Sequence, residues 1–259
     1  MTNRTICFEG IQNARDLGGL CTVDGRRIAP GLLLRSANLA GATPADLLSL
    51  RGERHLSEIV DLRTETERDE RPDAVPEGVT YCPIPVFDGP VAGISHEKET
   101  GAAENNAVIP KMESLYRLMV TEESCRRNFG KAARRVMEHD FTRGSILWHC
   151  TEGKDRCGLL TVILLFALGV DRRQIMEDYL LTNEVNEPKA ERYYRQLLAS
   201  GKSESEAAGV KAAFLAKAAY LEEALSAIDE QFSSIEEFLC GGLYIPEAAA
   251  AEFRAKALL

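Results

Sequence analysis

The stretch "GSILWHCTEGKDRCGLLTVILLFALGV", residues 144–170, decides how the chain folds. "SILW" is a short apolar run behind a glycine and reads as a buried strand. "GLLTVILLFALGV" is long and apolar enough for a buried helix, and a polar loop containing Gly153 joins the two. Strand, tight loop and helix in that order make an anion cradle. Successive backbone N–H groups of such a loop point inward, and the helix N-terminus adds partial positive charge where an anion would sit. Cys150 stands at the end of the strand and Arg156 at the start of the helix. The field that holds an anion also favours thiolate over thiol, which makes Cys150 a candidate nucleophile. Arg156 offers a planar fork for two phosphoryl oxygens and for the charge that spreads over them in a transition state. A buried thiol in a strand–helix corner is the plainer alternative.

Spacing alone decides little. With 7 cysteines among 259 residues, Cys-x5-Arg arises about 0.6 times by chance. The chain has two such matches, and the second, "CTVDGRR" from Cys21 to Arg27, lacks the context: "VDGR" reads as a hairpin turn and no helix begins at the arginine. Cys21 is therefore read as structural. A Walker-type phosphate loop fails because Gly153-Lys154 has no upstream glycine and is followed by Asp155. His149 points opposite to Cys150 if both lie on a strand, so it suits orienting the loop better than acting as a base.

Outward from the loop, "RIAPGLLLRS" (27–36), "HLSEIVDLRT" (55–64) and "VTYCPIPVF" (79–87) read as further buried strands. Helical patterns lie between and after them. "TPADLLSLRGE" has Thr43 to cap and Pro44 in the first turn, and an amphipathic run extends from about Lys111 to His139. From Gly158 onward no strand is predicted; "DRRQIMEDYLLTN" and the Ala-rich run around 207–228 are helical in period. The Gly-rich stretch 88–107 reads as a mobile surface loop, and 200–209 as a break between helices. Alternating strands and helices predict an α/β fold in one domain, 1–259: a small, mostly parallel twisted sheet flanked by helices, with the site at the carboxyl end of "SILW" and a helical C-terminal half.

Composition sets bounds. The chain is 45% hydrophobic and 27% charged, as expected of a globular protein, and its net charge of −9 argues against nucleic acid or an anionic membrane as main partner. Seven cysteines without CxxC pairs fit free thiols in a reducing compartment. The start, "MTNRTICFEGIQ", has no apolar run of signal-peptide length and the longest apolar stretch, 158–170, is too short to span a bilayer, so the expectation is a cytoplasmic protein without stable membrane insertion; secretion without a signal peptide stays open.

"HCTEGKDRCG" resembles the HCxxGKDR(T/S)G signature of the bacterial protein tyrosine phosphatase B type. Other segments agree in order: "NARDLGGL" with its NxRDxGG motif, "LLLRSANLAGATPADLLSL" with its FRS…L(T/S)xxD stretch, and "IVDLRTETERDERPD" with its DLR…E segment. "EDYLLTNE" and "YLEEALSAIDEQFSSIEEFL" are similar to its C-terminal helices. The resemblance spans nearly the whole chain. It implies a phosphomonoester hydrolase with a phosphocysteine intermediate, acting on phosphotyrosine proteins and, as in that family, on phosphoserine, phosphothreonine and phosphoinositides, with no metal and no organic cofactor.

Site residues follow. Cys150 is the nucleophile and Arg156 the phosphoryl clamp, with Thr151, Glu152, Gly153, Lys154, Asp155 and Cys157 in the phosphate loop. The resemblance points to Asp88, in "CPIPVFDG", as general acid; by sequence it sits at a strand-to-loop junction and could equally be a turn aspartate. Asp155 is the rival acid, with ion pairing to Lys154 or Arg156 as its simpler role. Lys154 is expected as a second cation at the pocket mouth, favouring phosphoinositides. His149, Asn13, Arg15, Asp16 and Arg63, with Arg35 and Ser36, are read as loop-positioning groups, and "RTETERDERPD" as a solvated helix face. Residues 186–225 resemble the family's lid. Cys157 departs from the family's Thr or Ser. As a weak donor it would slow phosphocysteine breakdown, as a thiol it could resolve oxidised Cys150, and as a small apolar group it could simply fill space. Two other classes stay in view: a phosphoprotein-binding pseudophosphatase, and a thiol redox or sulfur-transfer enzyme using Cys150 and Cys157.

Overall fold

In the computed structural model, residues 4–89 and 111–259 are described. The 88–107 loop expectation therefore lies outside the described residues except for Asp88 and Gly89. The sheet has five strands: β1 (Arg15–Asp16), β2 (Leu33–Ser36), β3 (Leu56–Asp61), β4 (Thr80–Pro83) and β5 (Ser145–His149), in the order β1-β2-β5-β3-β4. β5 pairs parallel with β2 and β3, β3 parallel with β4, and β1 antiparallel with β2. The mostly parallel sheet is as expected, with shorter strands than the apolar runs; β1, two residues long, carries no apolar pattern and was not predicted.

The strand beneath the cradle is central, and every residue of Ser145–His149 is buried. A strand covered on both faces needs apolar residues on both, which is why "SILW" runs without alternation. Ile146 and Trp148 enter a large core with Val60 and Leu33, while Leu147 joins a smaller one with Leu34, Ile59 and Leu50 on the opposite face.

The helices are α1 (Pro44–Gly52), α2 (Glu65–Glu70), α3 (Met112–Thr121), α4 (Glu123–Met137), α5 (Asp155–Leu168), α6 (Arg172–Leu180), α7 (Thr182–Ala199), α8 (Glu204–Phe214), α9 (Ala218–Gln231), α10 (Ile235–Glu237) and α11 (Glu247–Ala257). Thr43 caps α1 in a capping box with Asp46, and Pro44 opens the helix, as the sequence predicts. α5 is buried all round except at Phe166 and ends on left-handed Gly169.

Three boundaries differ from expectation. The Lys111–His139 run is two helices, because Glu122 is extended and its side chain caps neither. The Ala-rich run breaks where Leu215 turns extended, dividing α8 from α9. The 200–209 break is shorter, because Ser203 caps α8 through a capping box with Glu206. The segment 186–225 is not uniform in its packing. Leu221, Ala224 and Leu225 of α9 lie in the large core, so the segment that rests on the cradle is the α7–α8 hairpin. Among the described residues no helix is long and apolar enough to cross a membrane.

Candidate active site

The loop between β5 and α5 is held from outside by its carbonyls. Thr151 O accepts from Asn38 N at 3.2 Å and Asn38 Nδ2 at 2.8 Å. Asn13 Nδ2 donates to Glu152 O at 3.2 Å and Gly153 O at 3.0 Å, and Arg35 Nη2 donates to Gly153 O at 2.7 Å. A peptide's C=O and N–H point in opposite directions, so carbonyls anchored outside turn the amides into the loop, as an anion cradle requires. Gly153 allows the turn. Its φ is +65°, and a Cβ there would lie 2.5 Å from Ser36 O.

Arg156 is 1% exposed and its guanidinium is already oriented. Nη1 and Nη2 donate to Glu67 Oε2 and Oε1 at 2.6 and 2.7 Å, a two-point ion pair from α2. Glu67 also accepts from Thr151 Oγ1 at 2.6 Å and from Thr64 N at 2.9 Å. Burial pushes this carboxyl up, but Arg156, Thr151 and the Thr64 amide outweigh burial and hold it at about 2. Arg156 Nε is buried and without a partner, a donor left for an incoming oxygen beside Cys150, itself 2% exposed.

Beneath the loop, Asp178 of α6 gathers Arg4 (2.6 Å), Arg15 (3.2 Å) and Arg35 (3.3 Å). Burial raises the Asp178 carboxyl, and the three guanidiniums bring it well below the carboxylate range. Burial, then Arg35, lowers Arg15 to about 10 despite Asp178. Arg15 Nη1 donates to Asn13 Oδ1 at 2.7 Å, so Asp178, Arg15 and Asn13 form a chain of bonds ending on the loop carbonyls.

His149 is fully buried and its Nδ1 lies 3.2 Å from Cys150 O. Arg63 sits beyond it, bonded to Asp61 (2.8 Å) and Asp73 (2.5 Å). Arg63 thus reaches the loop only through His149's neighbours. Asp16 is not at the loop: it accepts from Gly18 N and Gly31 N at 2.8 and 2.6 Å and shapes the turns around β1.

Lys154 is not at a pocket mouth. It is 0% exposed, lies 3.3 Å from Asp155 Oδ1, donates to Ala213 O of α8 and stands 6.0 Å over the Tyr220 ring. Asp155 also accepts from Tyr116 OH at 2.8 Å. The cradle is covered because α7 and α8 rest on it: Lys189 Nζ pairs with Glu152 at 2.7 Å, and Asn186 Nδ2 secures Phe214 O at 2.9 Å. Asp88 is exposed at the edge of the described segment, with Oδ1 3.5 Å from Asn128 Nδ2. Cys157 is buried, its Sγ 3.7 Å from Trp148 O; burial, with Cys150 adding to it against Arg35 and Arg15, pushes the thiol up to about 11.

The reading of "RTETERDERPD" as a solvated helix face holds for Glu65, Asp69, Glu70 and Arg71, which are exposed, and fails at three positions. Arg63 and Glu67 are buried, and the Asp73 side chain is 1% exposed, because each pairs with a charge under the cradle. Glu67 and Asp178 were missed as functional residues. Thr64-x-x-Glu67 is a capping-box pattern and could have flagged Glu67; Asp178 offered only its place in "EDYLLTNE".

A family model described as "Tyrosine phosphatase family" matches residues 6–259. The chain belongs to the tyrosine phosphatase family. A Cupriavidus necator protein named "putative tyrosine-protein phosphatase" is 31% identical over 94% of this chain and 85% of its own length. The Mycobacterium tuberculosis "triple specificity protein phosphatase PtpB" is 27% identical over 89% of this chain and 91% of its own. Among solved structures, P. aeruginosa TpbA overlaps 60% of this chain and 71% of its own at 19% identity, with a TM-score of 0.29. As a member of this family the chain is a phosphatase, and neither a binding-only nor a thiol-transfer role is favoured.

Proposed function

We propose that this phosphatase hydrolyses phosphomonoesters in two steps at Cys150, with phosphotyrosine proteins as principal substrates. The observation that carries this reading is the buried Arg156, locked on Glu67 with Nε unpaired, beside a buried cysteine at the strand end. Cys150 thiolate attacks phosphorus and the P–O bond breaks, while the leaving oxygen takes a proton from Asp88. Water then attacks the phosphocysteine, Asp88 carboxylate accepts its proton, the S–P bond breaks and phosphate leaves. Arg156 and the loop amides of Thr151 to Asp155 hold the equatorial oxygens. Asn13, Arg15, Arg35 and His149 position the loop.

The chain works as one unit, with the α7–α8 hairpin as a lid that opens to admit substrate. Opening frees Lys154 from Ala213 O and Glu152 from Lys189, and the released ammonium extends the specificity to phosphoserine, phosphothreonine and phosphoinositides; the name of the M. tuberculosis relative supports several specificities. All seven cysteines are free, which supports a reducing, cytoplasmic setting. Cys157 gives redox protection in this reading: peroxide converts Cys150 to a sulfenic acid, and the Cys157 sulfur displaces water to form a disulfide. Recovery of activity by a thiol reductant after peroxide checks it, and irreversible sulfinate at Cys150 would sink it.

One experiment tests the whole reading. Wild-type protein should turn over p-nitrophenyl phosphate and a panel of phosphopeptides and phosphoinositides, and Cys150→Ser should abolish all of it. Turnover that survives in Cys150→Ser, or a wild type that binds phosphopeptide without turnover, refutes the reading.

A further inference from the structure

Behind the nucleophile lies a buried cluster whose charge the steps above do not use. His149 is fully buried, and its ring stands between two carboxylates: Nδ1 is 3.8 Å from Asp61 Oδ1, and Nε2 is 3.2 Å from Asp73 Oδ2. Asp61 comes from β3, the neighbouring strand, where its register partner across the sheet is His149 itself. Asp73 comes from the segment beyond α2, where its Oδ1 also accepts from Leu39 N at 2.6 Å. The other charged or titratable groups facing the ring are Arg63, bonded to both carboxylates, and Tyr81 of β4, whose OH donates to Asp61 Oδ2 at 2.5 Å. On the β2 side the register partner is Ser36, which is neutral.

The charges decide the protonation state. Two carboxylates and one guanidinium leave a net charge of about −1 in a site closed to water, and an isolated buried charge is far more costly than a paired one. A cation is therefore required, and His149 is the group placed to supply it. Asp61, Asp73 and His149 could together ligate a metal ion, but Arg63 already bridges the two carboxylates. The direction agrees: burial alone would lower His149, and Asp61 and Asp73 outweigh burial and raise it.

We infer that Asp73 is a positioning residue that, with Asp61, keeps His149 an imidazolium and so sets a fixed positive charge directly behind the Cys150 thiolate. The Nδ1 proton goes to the Cys150 carbonyl at 3.2 Å, so the charge couples to the nucleophile through its own peptide group. Nε2 lies 3.2 Å from Asp73 Oδ2, in ion-pair contact but not aligned for a hydrogen bond. The inference rests on Cys150 as the nucleophile, but the state of His149 is readable without substrate.

The test uses the full chain, labelled with nitrogen-15. Among its 4 histidines, the signals lost in His149→Gln identify His149. At about pH 7.5 both ring nitrogens of His149 should appear at imidazolium positions, and Asp73→Asn should convert the ring to the neutral form at the same pH. In Asp73→Asn the acid limb of Cys150 alkylation by iodoacetate should move to higher pH, with the rate near pH 6 falling about tenfold, or about one unit of displacement. His149→Gln keeps a donor for the Cys150 carbonyl without the charge, and should lose alkylation rate to a similar degree. A neutral His149 ring in wild type at about pH 7.5 overturns the inference. So does an unchanged alkylation profile in an Asp73→Asn protein whose His149 has become neutral. If Asp73→Asn fails to fold, the wild-type spectrum and the alkylation profile of His149→Gln decide the matter by the same criteria. Absence of phosphatase activity would refute the proposed function while leaving the ring's protonation state measurable.

Discussion

At the scale of single residues, the cradle depends on groups that fix Cys150 and Arg156 before substrate arrives. Glu67→Gln keeps the volume but removes the anion that aligns the Arg156 fork, and the guanidinium is left buried without its counter-charge. We expect kcat/KM for p-nitrophenyl phosphate to fall about 100-fold, mostly in kcat, with circular dichroism retained. Gly153→Ala attacks the same loop from the backbone: a side chain at φ +65° is strained, and its Cβ would press on Ser36 O at 2.5 Å. The expected outcome is a loss of activity larger than the loss of stability, read by comparing turnover with the melting temperature. Both residues show how legibility varied. Gly153 stood out as a glycine in a turn, but Glu67 was hidden in a charged run whose polarity suggested solvent, although its partners lie far away in sequence.

At the scale of elements, the proposed lid is the α7–α8 hairpin. Its contacts with the loop include the Lys189–Glu152 pair at 2.7 Å and the Lys154–Ala213 hydrogen bond. A partly buried pair of this kind is worth about 1 kcal/mol, or roughly fivefold in an opening equilibrium. Lys189→Ala should therefore speed alkylation of Cys150 by about fivefold and raise hydrogen exchange in residues 151–154, while the melting temperature changes little. An unchanged alkylation rate would mean that the hairpin is held on the loop by the Lys154–Ala213 contact instead. The helices themselves were legible from period and, at α1, from the Thr43 cap. Where α9 leaves the hairpin for the core was not legible, because its Ala-rich composition suits either surface.

At the scale of the whole molecule, the sheet end and its loops rest on carboxylates paired below their ordinary range. Glu67, Asp61 and Asp178 are all depressed by guanidinium or imidazole partners that outweigh burial. A depressed carboxyl contributes stability that is present above its unfolded pKa and is lost as pH falls toward its folded value. Stability should then be level near neutral pH and decline steeply below about pH 4.5, which melting temperatures measured from about pH 7 down to pH 3 would show. Asp178→Asn, with three arginines left facing one another, should weaken that acid-sensitive part and lower the melting temperature at neutral pH as well. Local sequence was enough for the strand–loop–helix unit, the Cys150 and Arg156 pair, the α/β class and most helix limits, because these follow from apolar period, turn chemistry and spacing. The tertiary structure alone decided that Glu67 locks Arg156, that Asp178 joins three arginines under the loop, that Lys154 is buried and that Asp16 stands apart. Those facts depend on which charges meet across distances of up to 174 residues in the chain, where pairing in a site closed to water, and not local composition, sets the energy.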